Sequence, residues 1–466
     1  NRYIPVLATT IPTKANQLVT VQADGRVKTT WPLRSGVLWH DGAPFTSKDV
    51  CFTWRFVTDP KSETYNREQY LNILSCEAPD DTTAVFTWSG EYAYYDGLFE
   101  AILPEHILGS MTAEQIVQFE PYNRGSKTIG TGPFRFAEWK SGEYIRVVRN
   151  ERYWRGDSVP AIDEIVWAFI PDANTRLNAM KSGQYHFGRI LPIQVKETQG
   201  SPDYRTNLVN SNSVMHLDLS TKTTRGKLLF DNEQVRSALF HAIDKNAIAE
   251  QLMEGTVKIA NSPINPTSRF HNPGVYQQAF DLERAKSLLD QAGWTEGPDG
   301  VRVKNGERFS FVMLNRAGST DRIAVAQVIQ AQLKAIGVET TFETLESAAW
   351  TLRWRTGRWE AIVSAWFLPA DPSLTGLYAC DGANNMTGFC DPGLDTLLKS
   401  SDRSLDPDRR KEILDVAQDR LARTARSLPL YYNVVPEVVS NRVGNYRGSG
   451  TNFGSFWNVF EWTLSR

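Results

Sequence analysis

Three runs decide the fold: Phe309-Ser310-Phe311-Val312-Met313-Leu314, Val338-Glu339-Thr340-Thr341-Phe342-Glu343-Thr344-Leu345 and Glu360-Ala361-Ile362-Val363-Ser364-Ala365-Trp366. Between the first two, Ser319-Thr320 can cap a helix whose apolar positions Val325, Val328, Ile329, Leu333 and Ile336 recur at i+3 and i+4 before Gly337 ends it. Val338, Thr340 and Phe342 alternate as a strand does, and Ser347 to Gly357 reads as a second helix. The third run is apolar in the manner of a strand buried in a parallel sheet. The order is β-α-β-α-β. Right-handed crossovers then put the three carboxyl ends on one sheet edge, where ligands bind in open α/β sheets.

That edge carries a specific set of side chains. Arg316 follows the first strand, Trp350 lies in the first turn of the helix after the second, and Trp366-Phe367-Leu368-Pro369-Ala370-Asp371 leaves the third. A basic residue, large aromatics and a carboxylate converging on one crevice suit an amphipathic or zwitterionic small molecule. The expected ligand-binding residues are therefore Arg316, Trp350, Trp366, Phe367 and Asp371. The competing view is that a tryptophan serves equally well as core, and that Asp371 before Pro372 is an ordinary loop starter.

Composition narrows the class. The 466 residues have ample length for hydrophobic cores, and 41% are hydrophobic against 22% charged. With 51 Lys+Arg against 53 Asp+Glu the formal net charge is −2, which gives no electrostatic case for a nucleic-acid or anionic-membrane binder. The longest mostly apolar run, Ala361 to Ala370, is half a membrane span and contains Ser364 and Pro369. The reading is a soluble globular protein. The four cysteines form two local pairs, Cys51/Cys76 and Cys380/Cys390, open to reading as disulfides, free thiols or metal ligands. The six histidines stand too far apart for a zinc site, and the pairs favour an oxidising, extracytoplasmic location.

Before residue 130 the chain reads as short strands and turns around one helix. Thr46 sits at an N-cap with Asp49 three positions on, and Asp59-Pro60 stops the helix. His40 and Asp41, next to Gly42, belong to a hairpin tip and not to a catalytic pair, since adjacent side chains diverge there. Gly130-Thr131-Gly132-Pro133 resembles half a dinucleotide fingerprint, but Pro133 lacks an N–H and a strand follows, so no phosphate cradle forms.

Leu33-Arg34-Ser35-Gly36-Val37-Leu38-Trp39-His40-Asp41-Gly42-Ala43-Pro44-Phe45-Thr46-Ser47-Lys48-Asp49-Val50 resembles the signature of the family 5 extracytoplasmic solute-binding proteins, the oligopeptide, dipeptide and nickel receptors of ABC importers. Leu7-Ala8-Thr9, Ile102-Leu103-Pro104-Glu105-His106, Gly130-Thr131-Gly132-Pro133-Phe134, Arg149-Asn150-Glu151-Arg152-Tyr153-Trp154, Phe230-Asp231-Asn232-Glu233-Gln234-Val235-Arg236 and Leu428-Pro429-Leu430-Tyr431-Tyr432 follow in family order. The resemblance covers nearly the whole chain.

It implies an α/β, bilobal, periplasmic-binding-protein-like clamshell of type II with an extra β-rich subdomain. Residues 1–129 would form that subdomain, 130–247 with 439–466 the large lobe, and 248–438 the second lobe. It also implies a disulfide at Cys380 and Cys390, to which Cys51 and Cys76 are added as a second expected bridge. The receptor would be a monomer without catalytic activity, cofactor, metal or nucleic-acid partner. It would take a peptide-like solute, or a sugar or opine, and hand it to an ABC permease from a periplasmic or extracytoplasmic position, free or lipid-anchored. Only six residues precede Leu7, where family members carry about fifty, which points to a fragment or a shortened lobe.

Two departures bear on the ligand. Peptide receptors of this family hold the substrate ammonium with an Asp three positions after the tryptophan of the third strand, and Pro369 stands there. Either Asp371 takes over by a local shift or the ligand lacks a free amino terminus. The nickel receptors match poorly, since no histidine cluster stands at the sheet edge. Rival classes are a secreted hydrolase acting on peptides or glycosides, for which Asp371 with Glu346 is the carboxylate pair to consider, and an interaction module whose cleft serves protein partners.

Overall fold

The computed structural model describes residues 3–465 except 65–66, 126, 157–158, 370 and 452–453. Asn1 and Ala370 thus lie outside the described residues. The decisive stretch folds as read. Strands Ser310–Arg316 and Glu339–Leu345 pair in parallel along their length, and Ala361–Phe367 joins the first of them in parallel at Met313. Helices Thr320–Lys334 and Ser347–Arg355 connect them, and Gly337 takes φ +78°, a left-handed conformation that glycine adopts without penalty. The strand entered first is the central one, so the chain reverses its direction of growth beside it. This makes the crevice between Arg316 and Phe367 a topological switch point.

This parallel unit is half of a larger sheet. Tyr204–Leu219 lies antiparallel to Ala361–Phe367 and also pairs with Ser427–Ser440, which in turn carries Lys258–Ile259 and Phe187–Arg189. The two long strands form the middle of this sheet. Their first segments pair from Ser427–Asp218 to Tyr432–Val214, and pairing resumes at Val434–Asn210. Asn433 therefore stands against Ser211, Asn212 and Ser213, and ladder bonding lapses at this crossing of the two strands. Such an interruption concentrates bending at one place.

On one side of this crossing a single apolar core joins Met215, Leu229, Phe230, Val235, Leu239 and Ile243 to Phe309, Val325, Ile329 and Val363. Helices Thr224–Phe230 and Glu233–His241 thus pack with the parallel strands. Leu229 and Leu239 have no exposed surface and meet the sheet through its strand residues Leu217 and Met313.

The β-rich subdomain is a four-stranded antiparallel sheet with helix Ser47–Thr58 against it. The capping box forms: the Thr46 N–H donates to Asp49 Oδ2 at 2.8 Å. The same carboxylate accepts from the Glu105 N–H at 2.8 Å and tethers the loop beyond. His40 ties this subdomain to the large lobe. Its Nε2–H donates to the Gly132 carbonyl and its Nδ1 accepts from the Gly130 N–H, each at 3.0 Å. The glycine-rich loop is thereby tied to the His40 imidazole. Asp41 turns away to His106 at 2.8 Å, as divergence at a hairpin tip requires.

Both cysteine pairs are disulfides: Cys51–Cys76 with Cα atoms 5.4 Å apart, and Cys380–Cys390 at 4.5 Å. Among the described residues, no helix is long and apolar enough to cross a membrane.

Candidate functional site

Alternation along Ala361–Phe367 sends Ile362, Ser364 and Trp366 to one face and Ala361, Val363 and Phe367 to the other. On the first face Trp366 lies parallel to the His216 ring, with centroids 6.2 Å apart and planes 8° from parallel. His216 arrives because Ser364 is its partner across the antiparallel ladder. On its other side Trp366 meets Trp354 at 5.6 Å, and Trp354 stacks on Trp350 at 6.0 Å. The Arg316 guanidinium caps the row, 6.0 Å from the Trp350 ring. Cation–π and stacking contacts of this kind each contribute about 1 kcal/mol.

Arg316, Trp350 and Trp366 are therefore brought together, through two residues that sequence reasoning did not single out. Trp354 was visible in principle, one turn after Trp350 on the same helix face. His216 was not, because its place depends on the pairing of strands separated by more than a hundred residues. Trp350 is only 8% exposed and shares a core with Leu314, Trp359 and Ile362, so it supports the row from beneath. Arg316, Phe367 and Pro369 are exposed at the same edge.

Asp371 is placed differently. Arg410, 3% exposed, donates to both of its carboxylate oxygens, one bond at 2.8 Å. The pair is bidentate and largely desolvated, which commits the carboxylate to the guanidinium. Tyr94 of the β-rich subdomain donates to the neighbouring Pro372 carbonyl at 2.7 Å. Glu346, the other carboxylate considered with it, makes no ion pair among the described residues.

A separate cavity of about 450 Å³ opens on the large lobe, lined among others by Tyr185, His186, Asp203, Tyr204 and Arg442. Burial and the nearby Arg442 hold the His186 imidazole below its ordinary value. This cavity lies apart from the aromatic row. Among the described residues, no three His, Cys, Asp or Glu side chains cluster so as to hold a metal ion.

Comparison with known proteins places this architecture. The chain is 27% identical over 463 residues to the oligopeptide-binding protein AppA of Bacillus subtilis (strain 168), covering 96% of this chain and 82% of that one. It is 31% identical over 384 residues to the nickel-binding periplasmic protein of Escherichia coli (strain K12), covering 76% and 70%. Among solved structures, the Bacillus subtilis AppA complex with a nonapeptide superposes with a TM-score of 0.85 at 25% identity, over 99% of this chain and 90% of that one. The profile of the bacterial extracellular solute-binding proteins, family 5, matches residues 2–388. The chain belongs to that family, and its fold is the bilobal clamshell.

Proposed function

We propose that this protein is the solute-binding component of an ABC importer, and that it captures a small peptide or peptide-like compound between its lobes and presents the closed form to a membrane permease. The observation that carries the reading is the crossing of two long strands between the lobes beside the aromatic row. Ligand contacts on both sides of that crossing favour the closed state, and only differential affinity for that state can drive it. The likeness to a peptide-binding relative over nearly the full chain supports a peptide among the solutes that such a cleft accommodates.

We divide the molecule at the crossing. The β-rich subdomain and the large lobe would form one jaw, and the second lobe, including residues 213–247, the other. Arg316, Trp366 and Phe367 are the side chains we assign to solute contact, with Trp350 and Trp354 behind them. Asp371 we assign to holding the loop. The rival hydrolase reading would need Asp371 as acid or nucleophile, and its bidentate engagement by Arg410 favours binding over catalysis. Two disulfides accord with an oxidising location outside the cytoplasm.

Native mass spectrometry of the purified protein, followed by thermal melting with a library of short peptides, tests the reading. A retained solute, and peptides that raise Tm in proportion to their occupancy, are expected. Hydrolysis products, or no Tm change with any peptide, would contradict it.

A further inference from the structure

The contact between the β-rich subdomain and the second lobe combines polar bonds with an apolar contact, Leu405 packing on the subdomain core. The Ala93 N–H donates to the Asp402 carbonyl at 2.8 Å, and the Tyr94 hydroxyl to the Pro372 carbonyl at 2.7 Å. The Arg410 guanidinium lies between two rings, 4.4 Å from Tyr94 and 4.3 Å from Phe270, while it holds Asp371. Tyr94, Phe270 and Arg410 are all buried. The apolar cores behind them are nevertheless separate. Tyr92, Tyr94 and Leu98 belong to the subdomain core, and Phe270, Leu374 and Leu414 to one in the second lobe. Mixed polar and apolar contacts between separate cores are typical of interfaces that open.

The seam grips a strategic loop. Asp371 and Pro372 follow directly from the strand that carries Trp366 and Phe367. A solute on the rim and the subdomain would therefore hold the same loop from two sides. The chain connection between these bodies runs through the interrupted long strands, which leaves them free to part by bending there.

On the reading of this protein as a two-lobed receptor, we infer that Tyr94 and the Arg410–Asp371 pair form its closure latch, meeting when the lobes shut and separating when they open. Within the seam two carboxyls are destabilising, Asp402, raised by burial beside Tyr94 and Arg410, and Asp96. The Asp96 Oδ1 is buried without a hydrogen-bond partner among the described residues. It is faced by Asp371 and Arg410 from the second lobe and by Tyr3 and Tyr95 from its own side. Burial, then the Asp371 charge, push its carboxyl up to about 6, so a proton on Asp96 strengthens the shut form. The latch holds more firmly as pH falls from 7.5 toward 5.5.

Spin labels on cysteines replacing Ala23 of the subdomain and Glu412 of the second lobe read the two states by pulsed electron resonance, in dialysed full-length protein. Two distance populations are expected. Tyr94→Phe, which removes one hydroxyl and keeps the ring, should lower the short-distance population relative to the long one by roughly threefold to tenfold, the worth of one buried hydrogen bond. Arg410→Met should lower it further, and circular dichroism checks that this variant folds. Asp96→Asn should raise the short-distance population at pH 7.5 and reduce its dependence on pH. A single distance in parent and Tyr94→Phe alike would show a permanent joint, and two populations that none of the variants shifts would show that these residues do not govern closure; either result overturns the latch. Retention of solute, scored separately by native mass spectrometry, reports on the receptor reading and leaves the distance result to judge the latch alone.

Discussion

The Asn433 side-chain amide donates to the Ser213 hydroxyl at 2.8 Å, across the stretch where the two long strands lose their ladder. The backbone there is bonded outside the pair of long strands, Asn212 N–H to the Gly450 carbonyl and Leu368 N–H to the Asn212 carbonyl, each at 3.1 Å, and the side-chain bond adds a link between the two strands themselves. Nearby, the Asn265 amide reaches the Ser211 carbonyl at 2.7 Å, so the unpaired carbonyl is also met by a side chain.

Asn433→Val should cost about 1 kcal/mol of stability, the ordinary net worth of one such bond, and should speed amide exchange across residues 211–213. Hydrogen exchange read by mass spectrometry resolves that peptide. Exchange equal to the parent's would show that the bond does not restrain the crossing.

Trp366 and Phe367 are neighbours with opposite fates. Trp366 is packed between His216 and Trp354, so Trp366→Ala should destabilise by about 3 kcal/mol. Phe367 is 36% exposed at the rim, and Phe367→Ala should change stability by less than about 0.5 kcal/mol while weakening solute retention roughly tenfold. Urea unfolding and a binding titration on both variants separate the two effects. Equal stability losses would mean that the rim is core throughout.

Where residues interact with near neighbours in sequence, the fold was legible from it. The Thr46–Asp49 capping box, the helix ending at Gly337 and the β-α-β-α-β order depend on periodicities of a few residues, and each appears in the structure. What escaped depends on pairing over long separations. Arg410 lies 39 positions from the Asp371 it binds, and nothing local to Asp371 distinguishes a free carboxylate from a committed one. His216 reaches Trp366 only because Tyr204–Leu219 flanks the parallel strands. The same fact draws helices Thr224–Phe230 and Glu233–His241 into the second core.

His40 should give stability a dependence on pH. Burial lowers its imidazole below the ordinary 6.5, and accepting a bond from Gly130 at Nδ1 requires the neutral ring. Below about pH 6.5 the unfolded chain takes up this proton more readily than the folded one. The stabilisation is therefore complete above that pH and declines as pH falls toward the lowered folded-state value. The difference in unfolding free energy between parent and His40→Gln, followed from pH 7.5 to 5, isolates this group from the other histidines. It should shrink on acidification. A constant difference would contradict the assignment.

The Cys51–Cys76 bridge joins helix Ser47–Thr58 to strand Ile73–Asp80 across a separation of 25 residues. A closed loop of that length restricts the unfolded chain enough to contribute about 3 kcal/mol. The double substitution Cys51→Ser, Cys76→Ser should lower stability by that order and make the subdomain the first part to melt, as read by near-ultraviolet circular dichroism of its Trp39 and Trp88. A melting curve indistinguishable from the parent's would show that the bridge adds nothing to the fold.

Small-angle scattering on one preparation, recorded with its solute bound and again after the solute has been removed, addresses the central claim most directly. The account predicts a smaller radius of gyration in the bound sample, because the lobes shut about the crossing at Asn433. Identical scattering curves for samples shown by mass spectrometry to differ in occupancy would contradict it.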